Sequence, residues 1–144
     1  VEVDRNGLEV LDPAECLRLL GTATIGRVGT SFGALPVILP VNYRVLDGRI
    51  VFRTGAGTKL QAAARDAVVA FEADSIDPIS HAGWSVVVTG FARELTDAAA
   101  LAEAAAANIP RWAPNGNGHV VEITTELITG RRIAPGHRSI GAEA

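Results

Sequence analysis

The chain has 144 residues, 48% of them hydrophobic, and a net charge of −3. That length suits one domain with a real core, and the composition excludes a disordered chain. The weak acidity and the lack of a basic stripe argue against a nucleic-acid partner, and a lone cysteine, Cys16, excludes an intrachain disulfide or a thiolate metal site.

The elements follow in order. Residues 1–10 read as a polar lead-in. Asp12 is a good helix N-cap, Pro13 fits the first helical position, and Glu15 stands where a capping box wants it. Gly21 stops the helix, which is predicted over 13–20. Strands are predicted at 23–28 and 34–43. The second carries Pro36 and Pro40, which cannot donate to a ladder, so it belongs at an edge or is bulged. Asp47-Gly48 marks a two-residue hairpin turn into a strand at 49–53.

A helix is predicted over 58–65 and a strand over 67–72. The long strand 84–95 contains Gly90, which points to a bulge or a barrel bend. An Ala-rich helix over 97–107 is capped by Thr96 or Asp97. Strands at 119–124 and 126–133 complete the sheet, and a loose tail follows Pro135. Short connections between successive strands favour antiparallel pairing, because parallel pairs need long crossovers. The expected fold is mainly β: an antiparallel barrel of six to seven strands with three short helices. The domain is read as 1–144, with its core at about 12–133. No leader pattern is visible and no apolar run approaches the ~20 residues of a membrane span. The expectation is a soluble, cytoplasmic protein.

The chemically informative stretch is Val51-Phe52-Arg53-Thr54-Gly55-Ala56-Gly57-Thr58-Lys59-Leu60. A strand runs into a Gly-rich turn and then a helix start. Free backbone N–H groups, the Thr54 and Thr58 hydroxyls, the Arg53 fork and the only lysine of the chain would suit a phosphate monoester. From the residues alone it reads equally as an ordinary turn with exposed cations. It is not a Walker loop, since Thr58 separates Gly57 from Lys59, and it lacks the third glycine of a dinucleotide fingerprint.

Four stretches, in order, carry a resemblance to a known family. They are Ala23-Thr24-Ile25-Gly26-Arg27-Val28; Leu39-Pro40-Val41-Asn42-Tyr43; Phe52-Arg53-Thr54 with Thr58-Lys59-Leu60; and Gly83-Trp84-Ser85-Val86-Val87-Val88-Thr89-Gly90. The chain resembles the pyridoxamine 5'-phosphate oxidase-like, FMN-binding split-barrel proteins, in particular their short, nitroimidazole-resistance-type subgroup. The resemblance implies a homodimeric split barrel with flavin sites at the interface. It places the FMN phosphate on Arg53, Thr54, Thr58 and Lys59, beside Phe52. It places the flavin ring near Pro40, Val41, Asn42 and Tyr43, partly through backbone groups, with Trp84 and Ser85 close by. It brings Arg131 and Arg132 toward cofactor or substrate. The implied activity is oxidoreduction of a small organic substrate, with the chemistry supplied by the flavin. Pyridoxamine phosphate oxidase itself carries a late Arg-x-His pair, and Arg131-Arg132-Ile133 has isoleucine where that histidine belongs. The alternatives are a non-catalytic flavin carrier, or the same fold holding a deazaflavin or haem.

The remaining candidates have plainer readings. His81 reads as a loop residue, and His119 and His137 take no role; three scattered histidines make no metal site. Glu72, Asp74 and Asp77 read as a solvated strand end. Trp112 could anchor a loop over a partner or pack on its own barrel. Cys16, among leucines, reads as a small buried apolar residue.

Overall fold

A computed structural model describes residues 1–55, 57–110 and 118–134; of Lys59 it describes the backbone only. The predicted tail after Pro135, His137 and Trp112 lie outside the described residues. Among the described residues, eight strands and three helices follow in the order β1 (Glu9–Leu11), α1 (Pro13–Leu20), β2 (Ile25–Phe32), β3 (Leu35–Leu46), β4 (Arg49–Thr54), α2 (Lys59–Ala63), β5 (Arg65–Ile76), β6 (Gly83–Leu95), α3 (Ala98–Ala106), β7 (His119–Ile123) and β8 (Leu127–Ile133). Every pairing is antiparallel. The sheet order is β1-β8-β6-β5-β2-β3-β4-β7, and a further β6–β7 pairing closes six of these strands into a barrel. Among the described residues, no helix is long and apolar enough to cross a membrane.

Local chemistry sets several of these elements. Asp12 caps α1 by accepting from the Glu15 N–H at 2.8 Å. Glu15 does not complete a capping box; its carboxylate holds Arg18 and Arg132 instead, each at 2.6 Å. Asp97, not Thr96, caps α3. The β3–β4 hairpin turns on Asp47 and Gly48, both at positive φ, 50° and 74°, as a two-residue turn matching strand twist requires.

Pro36 and Pro40 occupy the half of β3 that pairs only with β2, since β4 engages β3 from Tyr43 to Leu46. Their missing N–H groups therefore face an open ladder edge, and no bulge is needed. Gly90 is not bulged either; the register slip on β5 lies between Arg65 and Ala67. Gly90 sits where β6 leaves β8 and takes up β7. A Cβ there would lie 1.7 Å from the Thr124 carbonyl oxygen. The glycine thus permits the bend at which the barrel closes.

The lead-in is more structured than its polarity implies. Residues 9–11 form β1 against β8. Asp4 accepts from the Arg131 Nε at 2.9 Å.

The barrel core comprises Val28, Val41, Tyr43, Ile50, Phe52, Phe71, Val86, Val88, Val121 and Ile123, joined at one side by Leu19, Leu20 and Cys16 of α1. Tyr43 packs edge-on to Phe71 at 4.8 Å and donates its hydroxyl to the Leu20 carbonyl at 2.6 Å. A second cluster lies on the outer side of the barrel, where α3 and the residues after it cover the sheet: Val51, Ala104, Ile109 and Val120.

Candidate functional site

The end of β4 and the start of α2 form a polar turn. Thr58 caps α2 by accepting from the Gln61 N–H at 3.1 Å, and its hydroxyl donates to the Gly55 carbonyl at 2.8 Å. Thr54, buried, lies 2.7 Å from the Thr58 oxygen. Because Thr58 gives its proton to Gly55, Thr54 is the donor in that contact. Gly57, at φ +73°, donates its N–H to the Gln61 side-chain oxygen. The turn is thus held in shape by its own polar groups.

Arg53 precedes Thr54 on β4, directly opposite Val120 in the β4–β7 register and on the same face as Val51. Its Nε is buried and lacks any hydrogen-bond partner. Among the described residues the other half-buried arginines, Arg44, Arg49, Arg131 and Arg132, all donate to a carbonyl or carboxylate. A half-buried guanidinium with an unmet N–H costs free energy unless an acceptor arrives. The Lys59 side chain lies outside the described residues.

Three residues that sequence reading assigned no role complete this end of the barrel. His119 Nδ1 lies 2.9 Å from a Glu94 carboxylate oxygen. Gln61 Nε2 lies 3.4 Å from His119 Nε2. With the proton on Nδ1, the chain of donors runs one way, from the Gly57 N–H through Gln61 and His119 to Glu94. These partners are separated by 25 and 58 positions, so no local pattern announces them.

The other expected site residues fall elsewhere. Trp84, Ser85 and Arg131 come together with Leu8, Ile76 and Ile133 around a cavity of about 40 Å³. Arg131 is held there by Asp4 and its own neighbour's carbonyl. Arg132 is committed to Glu9 and Glu15 at 2.5 and 2.6 Å. Val41, Tyr43 and Phe52 are core side chains, so only their backbone is available to a ligand. Burial pushes the Tyr43 hydroxyl up to about 12, which keeps it a neutral donor. Pro40 is exposed and Asn42 half-buried. The polar turn and the Trp84 cavity lie at opposite ends of β6. Arg53 reaches β6 through Val120 at Leu95, eleven residues from Trp84, or roughly 35 Å of strand.

The acidic run also departs from expectation. Asp77 caps a turn by accepting from the Ile79 and Ser80 N–H groups. Glu72 and Asp74 are not a solvated strand end. They sit half-buried on the outer barrel face, 3.4 and 3.6 Å from one guanidinium, that of Arg27.

A closed antiparallel barrel with a polar strand–turn–helix site at one end defines a split-barrel protein. The chain belongs to the pyridoxamine 5'-phosphate oxidase family, whose sequence model matches residues 12–132. It is 42% identical over 134 residues to the uncharacterized protein Rv0080 of Mycobacterium tuberculosis, covering 90% of this chain and 88% of that one. It is 40% identical to an FAD binding protein from Mycobacterium smegmatis of known structure, with a TM-score of 0.75 over 86% of this chain and 97% of the other. An FAD and haem binding protein from M. smegmatis shares the fold alone, at 13% identity and a TM-score of 0.71, over 92% of this chain and 76% of that one.

Proposed function

We propose that this chain is a flavoprotein that binds FMN as a homodimer and passes electrons between the flavin and a small organic substrate. The observation that carries this reading is the buried, unpartnered Arg53 Nε at the end of β4, the strand that runs into the Thr54–Thr58 turn. A phosphate there would meet the open N–H groups of Arg53, and Lys59 follows Thr58 in sequence at the start of α2. The flavin would supply hydride or single-electron chemistry; the chain would bind and orient it and exclude water. The relative that binds FAD supports a flavin rather than haem.

Two features support pairing of copies. Arg53 and the Trp84 cavity lie toward opposite ends of β6, an arrangement in which two copies packed side by side would bring one region of each kind to one ring. The outer barrel face also exposes Ile25, Ile38, Val68, Val87, Phe91 and Leu127, and such a face marks an interaction surface.

The test is flavin binding to the purified full chain. Oxidised-flavin absorbance, with FMN identified after release, is the expected result; released FAD would replace FMN in the reading, and a Soret band would overturn it. Arg53→Ala should weaken FMN at least about tenfold, given ~1.5–3 kcal/mol for a charged hydrogen bond. Unchanged affinity would remove Arg53 from the site. Anaerobic bleaching by a reduced nicotinamide donor separates an oxidoreductase from a carrier.

A further inference from the structure

The exposed outer face has a charged centre. Across the sheet, one row of register partners reads Thr129 on β8, Val87 on β6, Glu72 on β5, Arg27 on β2 and Pro40 on β3. The neighbouring row reads Leu127, Thr89, Ala70, Gly29 and Ile38. Glu72 and Asp74, two positions apart, point to the same side and share Arg27. Two carboxylates on one guanidinium leave one negative charge uncompensated within an otherwise apolar or neutral surface.

Among the described residues, the register places no other ionisable side chain beside Glu72 on this face. Its neighbour on β6 is Val87, and Pro40 and Thr129 lie beyond. Asp74 faces Ser85, and past it Arg131, which Asp4 already engages.

In a twofold pair, a face meets its own copy. The uncompensated charge would then be doubled and withdrawn from water, a costly arrangement unless a proton neutralises it. We infer that the Arg27–Glu72–Asp74 cluster takes up one proton per protomer when two copies pair, so that pairing weakens in mildly alkaline solution. This inference rests on the pairing proposed above. Burial and then the Asp74 carboxyl already raise the Glu72 carboxyl to about 7 in the single chain. Pairing removes more water and raises it further. The uptake therefore falls at and above neutral pH, and below it the cluster is protonated in both states.

The experiment is sedimentation velocity of the full chain between pH 6 and 9, with circular dichroism confirming the fold. The dimer dissociation constant should rise at least about tenfold from pH 7 to pH 9, since each linked proton contributes up to tenfold per pH unit. Glu72→Gln and Asp74→Asn each leave one carboxylate for one arginine, and both should pair equally well across the range. A wild-type dimer with a flat profile overturns the inference and leaves the pairing intact. So does either variant if it keeps the wild-type profile. A chain monomeric at every pH overturns the pairing itself, and this inference with it.

Discussion

Two carboxylates on the outer surface of the same barrel stand in opposite circumstances. Glu122 on β7 is buried and receives two guanidiniums, Arg49 at 2.5 Å and Arg93 at 2.6 Å. Arg49 also reaches Glu103 on α3 at 3.3 Å, so the cluster ties the helix to the sheet. Glu72 on β5 shares a single guanidinium with Asp74, on a face that no described helix covers. Burial pushes both carboxyls up. At Glu122 the bonds from Arg93 and Arg49 outweigh it and hold the group below its usual value. At Glu72 the second carboxyl adds to it. The count of cations per carboxylate, rather than burial alone, decides the sign. The first cluster is internally complete; the second has its charge unmet where the surface is still bare.

Four substitutions break or sharpen this contrast. Glu122→Gln should have the largest effect, a loss of about 2–3 kcal/mol at pH 7 in urea unfolding, because two charge-assisted bonds weaken and a second arginine loses its counter-charge. The wild-type contribution is held above the unfolded carboxylate value and lost as pH falls through the lower folded value. The variant should therefore lose its disadvantage in acid. Next is a matched pair of truncations. Val51→Ala, under α3, should cost roughly 2 kcal/mol, whereas Val87→Ala on the bare face should change the stability of the isolated protomer by less than about 0.5 kcal/mol. Equal losses would show that both faces are covered alike. The smallest effect has the opposite sign. The folded Glu72 carboxyl is raised from 4.5 to about 7, so its unfavourable contribution builds as pH rises from the unfolded carboxyl's value to about 7 and is complete above it. Glu72→Gln should stabilise the protein by about 1 kcal/mol at about pH 8.5 and leave it unchanged at about pH 4, a figure discounted because a third of the side chain is in water. Thermal melts of dilute protein at the two pH values read it.

Local signals carried far into the fold. The Asp12 cap and Pro13 placed α1 at its observed residues. Asp47-Gly48 fixed the β3–β4 turn, and Gly90 marked the bend at which β6 changes partner. The turn from Arg53 to Lys59 stood out because a Gly-rich connection with hydroxyls and cations is a contiguous pattern. Signals failed where the reason for an element is remote. β1 is three residues long and exists because β8 offers it an edge. Asp77 looked like its acidic neighbours, yet it caps its own loop while Glu72 and Asp74 meet Arg27 across the sheet.

What the sequence determined by itself is the antiparallel β class, most element boundaries and the polar turn after β4, because side-chain period, caps and turn residues act over a few positions. Only the tertiary structure decided how charges are shared and which face stays bare. Arg27 meets Glu72 from 45 positions away and Arg49 meets Glu122 from 73. The unmet N–H of Arg53 is visible only once every other half-buried arginine among the described residues has found its partner. Contacts at such separations follow from strand order and register, which no stretch of the chain specifies alone.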